Sequence, residues 1–290
     1  MKKLVSIISF VSCIVLFNNC NERAAPTTDT ADTTRKDSAS DWVLGVQFWT
    51  FHEFPFVTAV EKTDSAGIDY IEAFLGQPLG GSFQGNFDLN MSAETRSAVS
   101  QLLQSKGITM NAFGVVVPQS IDEWRKTFQL GKDMGVRYIT AEPLKPHLDS
   151  VNILSAQFGI PIAIHDHPRP SPYWHPDSVI AAMNGRPNIY ACADVGHWAR
   201  SGLDVVECLK KLQGRIIGVH LKDVKVFNQT DAADTRLGTG VVKFPETFAE
   251  LKRQGFSGML SIENESNWQN NVPDVIYNKK YYTEQTTKLK

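Results

Sequence analysis

The chain reads as an α/β protein folded as a single (β/α)8 TIM barrel. Three observations say so: eight β-branched runs alternate with segments of helical period, six glycines close helices just before strands, and the length suits one barrel. From Trp42 onward the strand candidates are Leu44–Thr50, Asp69–Phe74, Ile108–Val115, Arg137–Glu142, Ile160–His165, Asn188–Ala193, Arg215–His220 and Gly258–Glu263. Short runs of this kind, spaced by helical stretches, build a parallel sheet with crossover helices. The helix candidates include Phe54–Ala66, Ala93–Lys106, Ile121–Met134, Leu203–Leu212 and Pro245–Gln254, several opened by Pro, Ser or Asp. Gly67, Gly107, Gly135, Gly159, Gly214 and Gly255 stand where a helix ends in a left-handed cap before the next strand. A doubly wound open sheet competes, but it asks for a glycine-rich phosphate loop after the first strand, and none follows Leu44–Thr50.

The composition of 42% hydrophobic and 21% charged residues in 290 supplies a large core and excludes a chain disordered throughout. Basic and acidic residues number 29 and 31, so the surplus of positive charge that nucleic acid demands is missing. Cys13, Cys20, Cys192 and Cys208 are too few for a disulfide scaffold, and Cys192 and Cys208 read as inert packing. Lys2 and Lys3 precede an apolar run from Leu4 to Phe17, shorter than the roughly 20 residues of a membrane-spanning helix and typical of an export signal over residues 1–19. A tether over residues 20–41, rich in Thr, Asp, Ser and Ala, leads to the barrel of residues 42–290. This order resembles a bacterial lipoprotein acylated on Cys20; an ordinary secretory signal is the alternative, and either exports the chain, to the periplasm or to a membrane anchor. Loss of Lys2 and Lys3 with the signal takes the net charge from −2 to −4.

In a barrel of this kind the active site lies at the C-terminal strand ends. Acids and histidines stand there: Glu72 on strand two, Glu142 on four, His165-Asp166-His167 on five, Asp194 and His197 on six, His220-Leu221-Lys222-Asp223 on seven, and Glu263-Asn264-Glu265 on eight. Such groups converging on one mouth repel or lose solvation unless a cation sits among them, so a divalent metal is the economical expectation. Mixed carboxylates and imidazoles suit Mn, Co, Zn or Fe more than Mg or Ca. Asp223 and the glycines of Leu237–Gly240 read as a rim pair and a turn, with a phosphate cradle as the rival for the glycines. Trp49, Phe51, Trp174, Trp198 and Trp268 fall in loops or at strand ends, where aromatic faces stack on a ligand's rings or pack lids.

The barrel rhythm, the Asp194-x-x-His197 pair, the HLKD of His220 to Asp223, the LGTG of Leu237 to Gly240 and the terminal IEN around Glu263 together resemble the xylose isomerase-like superfamily of sugar isomerases and epimerases, over roughly Leu44 to Asn264. The resemblance implies a metal held by Glu, Asp, His and Glu on strands five to eight. Three of these carry over onto Asp194, His220 and Glu263; His165 stands where the family more often has glutamate and is expected to ligate in its place, with Glu142 beside it. Because that glutamate is also an acid/base group in epimerases, the reaction stays open. The expected function is metal-dependent isomerisation or epimerisation of a small, neutral carbohydrate, with Glu142 or Glu263 as base, His197 and Lys222 on substrate oxygens, and Trp49, Glu72 and His167 binding substrate. A 3-keto-glycoside lyase on the same scaffold is the alternative, and a non-catalytic glycan-binding lipoprotein a remoter one.

Overall fold

A computed structural model describes residues 42–289. The expected export signal, the tether and Cys20 lie outside the described residues. Eight parallel strands close in chain order: β1 (Val43–Gln47), β2 (Tyr70–Ala73), β3 (Thr109–Val116), β4 (Tyr138–Ala141), β5 (Ile162–Ile164), β6 (Ile189–Asp194), β7 (Ile216–Leu221) and β8 (Met259–Ile262). β8 returns to β1 with Val43 opposite Met259 and Val46 opposite Ile262, which removes the exposed edge. The helical shell comprises α1 (Phe56–Ser65), α2 (Ala93–Ser105), α3 (Ile121–Met134), α4 (Leu148–Phe158), α5 (Pro176–Met183), α6 (Val195–Arg200), α7 (Val205–Lys211), α8 (Phe244–Arg253) and α9 (Val272–Thr287).

Local chemistry explains most boundaries. Ser92 and Ser120 cap α2 and α3 by accepting the N–H groups of Thr95 and Glu123. The six junction glycines all have φ between 65° and 76°, a region that penalises any residue with a Cβ. The first strand ends three residues earlier than the expected Thr50, because the Gln47 side chain accepts the Trp49 N–H and turns the chain into a 3-10 segment, Phe48–Phe51. The C-terminal stretch forms α9, which packs on α1, α8 and β8 and so completes the shell.

Alternation along each strand sorts side chains between the barrel interior and the helices. Ala112, Tyr138, Ala163, Cys192 and Met259 fill the N-terminal half of the interior. The large members face glycine: a Cβ on Gly218 would lie 2.7 Å from Tyr138 Oη, and one on Gly45 would lie 2.9 Å from Met259 Sδ. Cys192 and Cys208 are buried free thiols, and burial pushes Cys192 up to about 12. Towards the C-terminal mouth the inward positions turn polar yet stay buried: Gln47, Glu72, His165, Asp194, His220 and Ser261. Register sets them side by side, Asp194 opposite His220 and His220 opposite Ser261.

Candidate metal centre

His165 follows β5, Asp194 ends β6, His220 lies in β7 and Glu263 follows β8; each offers one donor atom within 4.8 Å of the other three. Asp194 Oδ2 is 3.6 Å from His165 Nε2 and 3.8 Å from His220 Nδ1, and His220 Nδ1 is 2.9 Å from Glu263 Oε2. Asp194 Oδ2, His220 Nδ1 and Glu263 Oε2 are buried without a hydrogen-bond partner. A buried polar atom without a hydrogen bond costs roughly 1–3 kcal/mol; the Lys222 ammonium near Asp194 Oδ2 offsets part of that cost here, and a shared cation removes the rest. The two imidazole and two carboxylate donors fit a divalent ion of the Mn, Co, Zn or Fe kind.

The groups behind the donors aim them. Glu72 Oε2 lies 2.9 Å from His220 Nε2 and accepts from Ser261 Oγ at 3.1 Å. A proton held on Nε2 by that carboxylate leaves the Nδ1 lone pair facing the centre. Glu72 is wholly buried, one inward position below the mouth, so the substrate contact expected for it is corrected to support of His220. Asp166, given no role by sequence, accepts the Asp194 N–H at 2.8 Å, and Asp194 Oδ1 caps α6 by accepting the His197 N–H at 2.9 Å.

Lys222 is corrected in the same way: its ammonium is fully buried and does not line the cleft. Nζ sits 2.5 Å from Glu265 Oε1, 3.4 Å from both Asp194 Oδ2 and Glu263 Oε1, and 3.2 Å from His197 Nε2. Burial works against its charge, but Asp194, Glu263 and Glu265 hold its pKa well above the usual lysine range. His197 Nδ1 lies 3.2 Å from Arg200 Nη1 and its Nε2 lies 3.2 Å from Lys222 Nζ; a neutral imidazole accepts at one nitrogen only, so one of these donors is hydrogen-bonded to the ring and the other stands against its N–H, and burial pushes the pKa of His197 well down. Glu142 is not a free base either. Its Oε1 accepts the His167 N–H at 3.0 Å and lies 2.6 Å from His167 Nδ1, and its Oε2 accepts from Ser171 Oγ at 3.0 Å. It is also 3.5 Å from His165 Nδ1, so it orients two histidines.

The cleft above these groups has a volume of about 490 Å³. Trp49, Phe74, Leu75 and Val115 form an apolar wall, and His165, His167, His197, Arg200, Glu263 and Glu265 a polar one. Trp49 and His167 both line the cleft; Trp49 is 41% exposed and the His167 side chain 50%. Phe51 and Trp198 are fully buried in the core. Sequence reasoning missed Arg200, whose Nη2 donates to Asp234 Oδ1 at 2.6 Å while Asp234 Oδ2 accepts the Glu265 N–H at 2.7 Å. Its signal was the three-residue step from His197, which puts both on one face of α6.

Asp223 turns away from Lys222 and organises the LGTG turn. Its Oδ2 accepts the N–H groups of Gly238 and Gly240, both at 2.9 Å, and its Oδ1 those of Val224 at 2.9 Å and Val242 at 3.1 Å. With the carboxylate on these donors the glycines form a turn and hold no phosphate cradle. A Cβ on Gly240 would lie 2.3 Å from Asp223 Oδ1, so Gly240→Ala is expected to cost roughly 1–3 kcal/mol, read as a lower urea midpoint.

Burial raises the carboxyl of Glu263, but Lys222 and His220 outweigh it and hold the pKa down at about 2; Asp194 is likewise held well below the usual range against its burial by His197 and Lys222. These groups bind protons more weakly folded than unfolded. Their contribution is complete above the unfolded carboxylate range, near 4.5 for Glu, and is lost as pH falls towards 2. In urea titrations of metal-free protein, Glu263→Gln is therefore expected to lose less stability than wild type as the pH is lowered from 5 to 3.

A family model described as xylose isomerase-like TIM barrel matches residues 60–282. A crystal structure of an uncharacterized protein from Parabacteroides distasonis ATCC 8503 is 32% identical, with a TM-score of 0.70 over 84% of this chain and 99% of that one. L-ribulose 3-epimerase shares the fold at 16% identity, with a TM-score of 0.67 over 85% of this chain and 95% of its own. Inosose dehydratase of Mesomycoplasma hyopneumoniae (strain 7448) is 32% identical over 87 residues; the match spans 25% of this chain and 29% of that relative's length. With most of the barrel matched and the four donors at its mouth, the chain belongs to the xylose isomerase-like TIM barrel family.

Proposed function

We propose that this protein is a metal-dependent sugar isomerase or epimerase that removes a proton next to the carbonyl of a small, neutral carbohydrate. The observation that carries the reading is the set of three unpartnered donor atoms buried among His165, Asp194, His220 and Glu263 beneath a half-apolar cleft. A divalent ion bound there polarises a sugar carbonyl and acidifies the neighbouring C–H. His167, backed by Glu142, presents its outer ring edge from the β5 side and takes or returns the proton. Glu265, held by Lys222, faces the same cleft from the β8 side and serves the second position that isomerisation or epimerisation requires. Arg200 donates to a sugar oxygen, and Trp49 offers its face to the ring. The likeness to an epimerase fold and to inosose dehydratases supports proton abstraction on a polyol-derived ketone.

A second reading, 3-keto-glycoside lyase, is favoured by His165, which stands where the family more often carries a glutamate serving as acid/base group. Abstraction of the proton next to the ketone then expels the glycosidic oxygen with its electron pair, and that oxygen takes up a proton. Incubation of Mn-loaded protein with sugars and 3-keto-glycosides in deuterated water separates the readings. Deuterium in intact sugar is expected for isomerisation or epimerisation, and aglycone release for elimination; metal-free protein that binds glycans without either outcome refutes both. We also propose export with a lipid anchor on Cys20, from Lys2, Lys3 and the apolar run; palmitate labelling lost in Cys20→Ala tests it.

A further inference from the structure

A second cavity, of about 630 Å³, opens beside the cleft and is lined by Glu53, Arg236, Asn267, Trp268 and Gln269. It is separate from the metal donors, and no role assigned above uses it. The loops after β1, β7 and β8 form it with the start of α9; β1 and β7 both pair with β8. An aromatic band joins the two cavities. Trp49, on the wall of the first, stacks on His52 with ring centroids 4.7 Å apart, and His52 stands perpendicular to Trp268, on the wall of the second, with centroids 4.1 Å apart.

The cation lining the second cavity is paired with a carboxylate, and Glu53 is hydrogen-bonded by an amide. Arg236 Nε donates to Asp274 Oδ1 at 2.5 Å, and Gln269 donates to Glu53. A cavity whose cation is already matched by carboxylate has little to offer an anion. What it offers is one indole face and several amide and carboxylate groups that give and accept hydrogen bonds, the combination that suits a ring carrying hydroxyls. Its volume and that of the cleft both fall in the range of small-molecule sites.

We infer that the second cavity binds the second ring of the substrate, so that the enzyme acts on a neutral glycoside of two or more rings instead of a free monosaccharide. The first ring sits over the metal donors against Trp49 and the next against Trp268. The inference rests on the sugar chemistry proposed above, and it holds for either reaction outcome.

The test measures calorimetric affinities of the full chain, loaded with Mn, for glucose, galactose, xylose and a panel of disaccharides built from them. At least one disaccharide is expected to bind about tenfold more tightly than either of its component sugars, a gain of about 1.4 kcal/mol. Trp268→Ala removes that gain and leaves monosaccharide affinity within about twofold of wild type; Gln269→Ala, at an exposed position, reduces the gain about threefold. Three results overturn the inference: no disaccharide binds better than its components, the gain survives Trp268→Ala, or Trp268→Ala weakens both classes alike. Monosaccharide binding without a disaccharide gain defeats only this inference, whereas loaded protein that binds no sugar of either length defeats the proposed function with it.

Discussion

Asp194→Asn is expected to lower turnover about a thousandfold or more and to strip the purified protein of its metal. The carboxylate has two jobs on two oxygens: Oδ1 caps α6 through the His197 N–H, and Oδ2 enters the donor cluster with no hydrogen bond, 3.4 Å from Lys222 Nζ. A carboxamide keeps the first with its carbonyl oxygen and replaces the second with an N–H₂ group that cannot ligate. The Lys222 ammonium loses one of three nearby carboxylates but keeps Glu263 and Glu265, so the barrel still folds. A thousandfold loss corresponds to about 4 kcal/mol, within the several kcal/mol that metal polarisation supplies. Steady-state kinetics with metal analysis on the same preparation checks both halves. Wild-type turnover from a metal-poor Asp194→Asn sample would contradict the assignment.

Glu142→Gln is expected to lower kcat about a hundredfold when measured at saturating Mn. The carboxylate is not itself the base, because each of its oxygens is already committed to His167 or Ser171. It acts by fixing the ring of His167, whose other edge faces the cleft, and by standing behind His165. The amide oxygen still accepts a hydrogen bond, but the charge that stabilises the protonated imidazole during transfer is gone. His167→Ala is expected to lose a similar factor. The double variant should lose little more than either single one, since two residues that act as a unit are not additive. Additive losses would separate the pair, and wild-type kcat from Glu142→Gln would remove it from the mechanism.

Much of this architecture is written in local patterns that need no coordinates. The six closing glycines are legible because a left-handed cap admits little else, and β-branched runs between helices admit one sheet topology at this length. The four donors are legible because strand-end position is a property of sequence once the strands are drawn, and a barrel directs every strand end to one mouth. Depth and partners are not legible in this way. Glu72 and Glu263 are both acids near strand ends, yet one lies wholly beneath His220 and the other reaches the cleft. Lys222 looks like a substrate-facing group until its burial shows it beneath the cleft that His197 lines, with the two side chains 3.2 Å apart. Arg200 was hidden because its helix has only 6 residues, which leaves the three-residue step from His197 as the one sign of its face.

The claim that four side chains from consecutive strands share one divalent ion is tested most directly by anomalous diffraction from wild-type crystals grown with Mn. A single peak between His165 Nε2, Asp194 Oδ2, His220 Nδ1 and Glu263 Oε2 is expected. Crystals whose only peak lies among Glu142, His165 and His167, or which show none while the dissolved crystals turn over substrate, would contradict it.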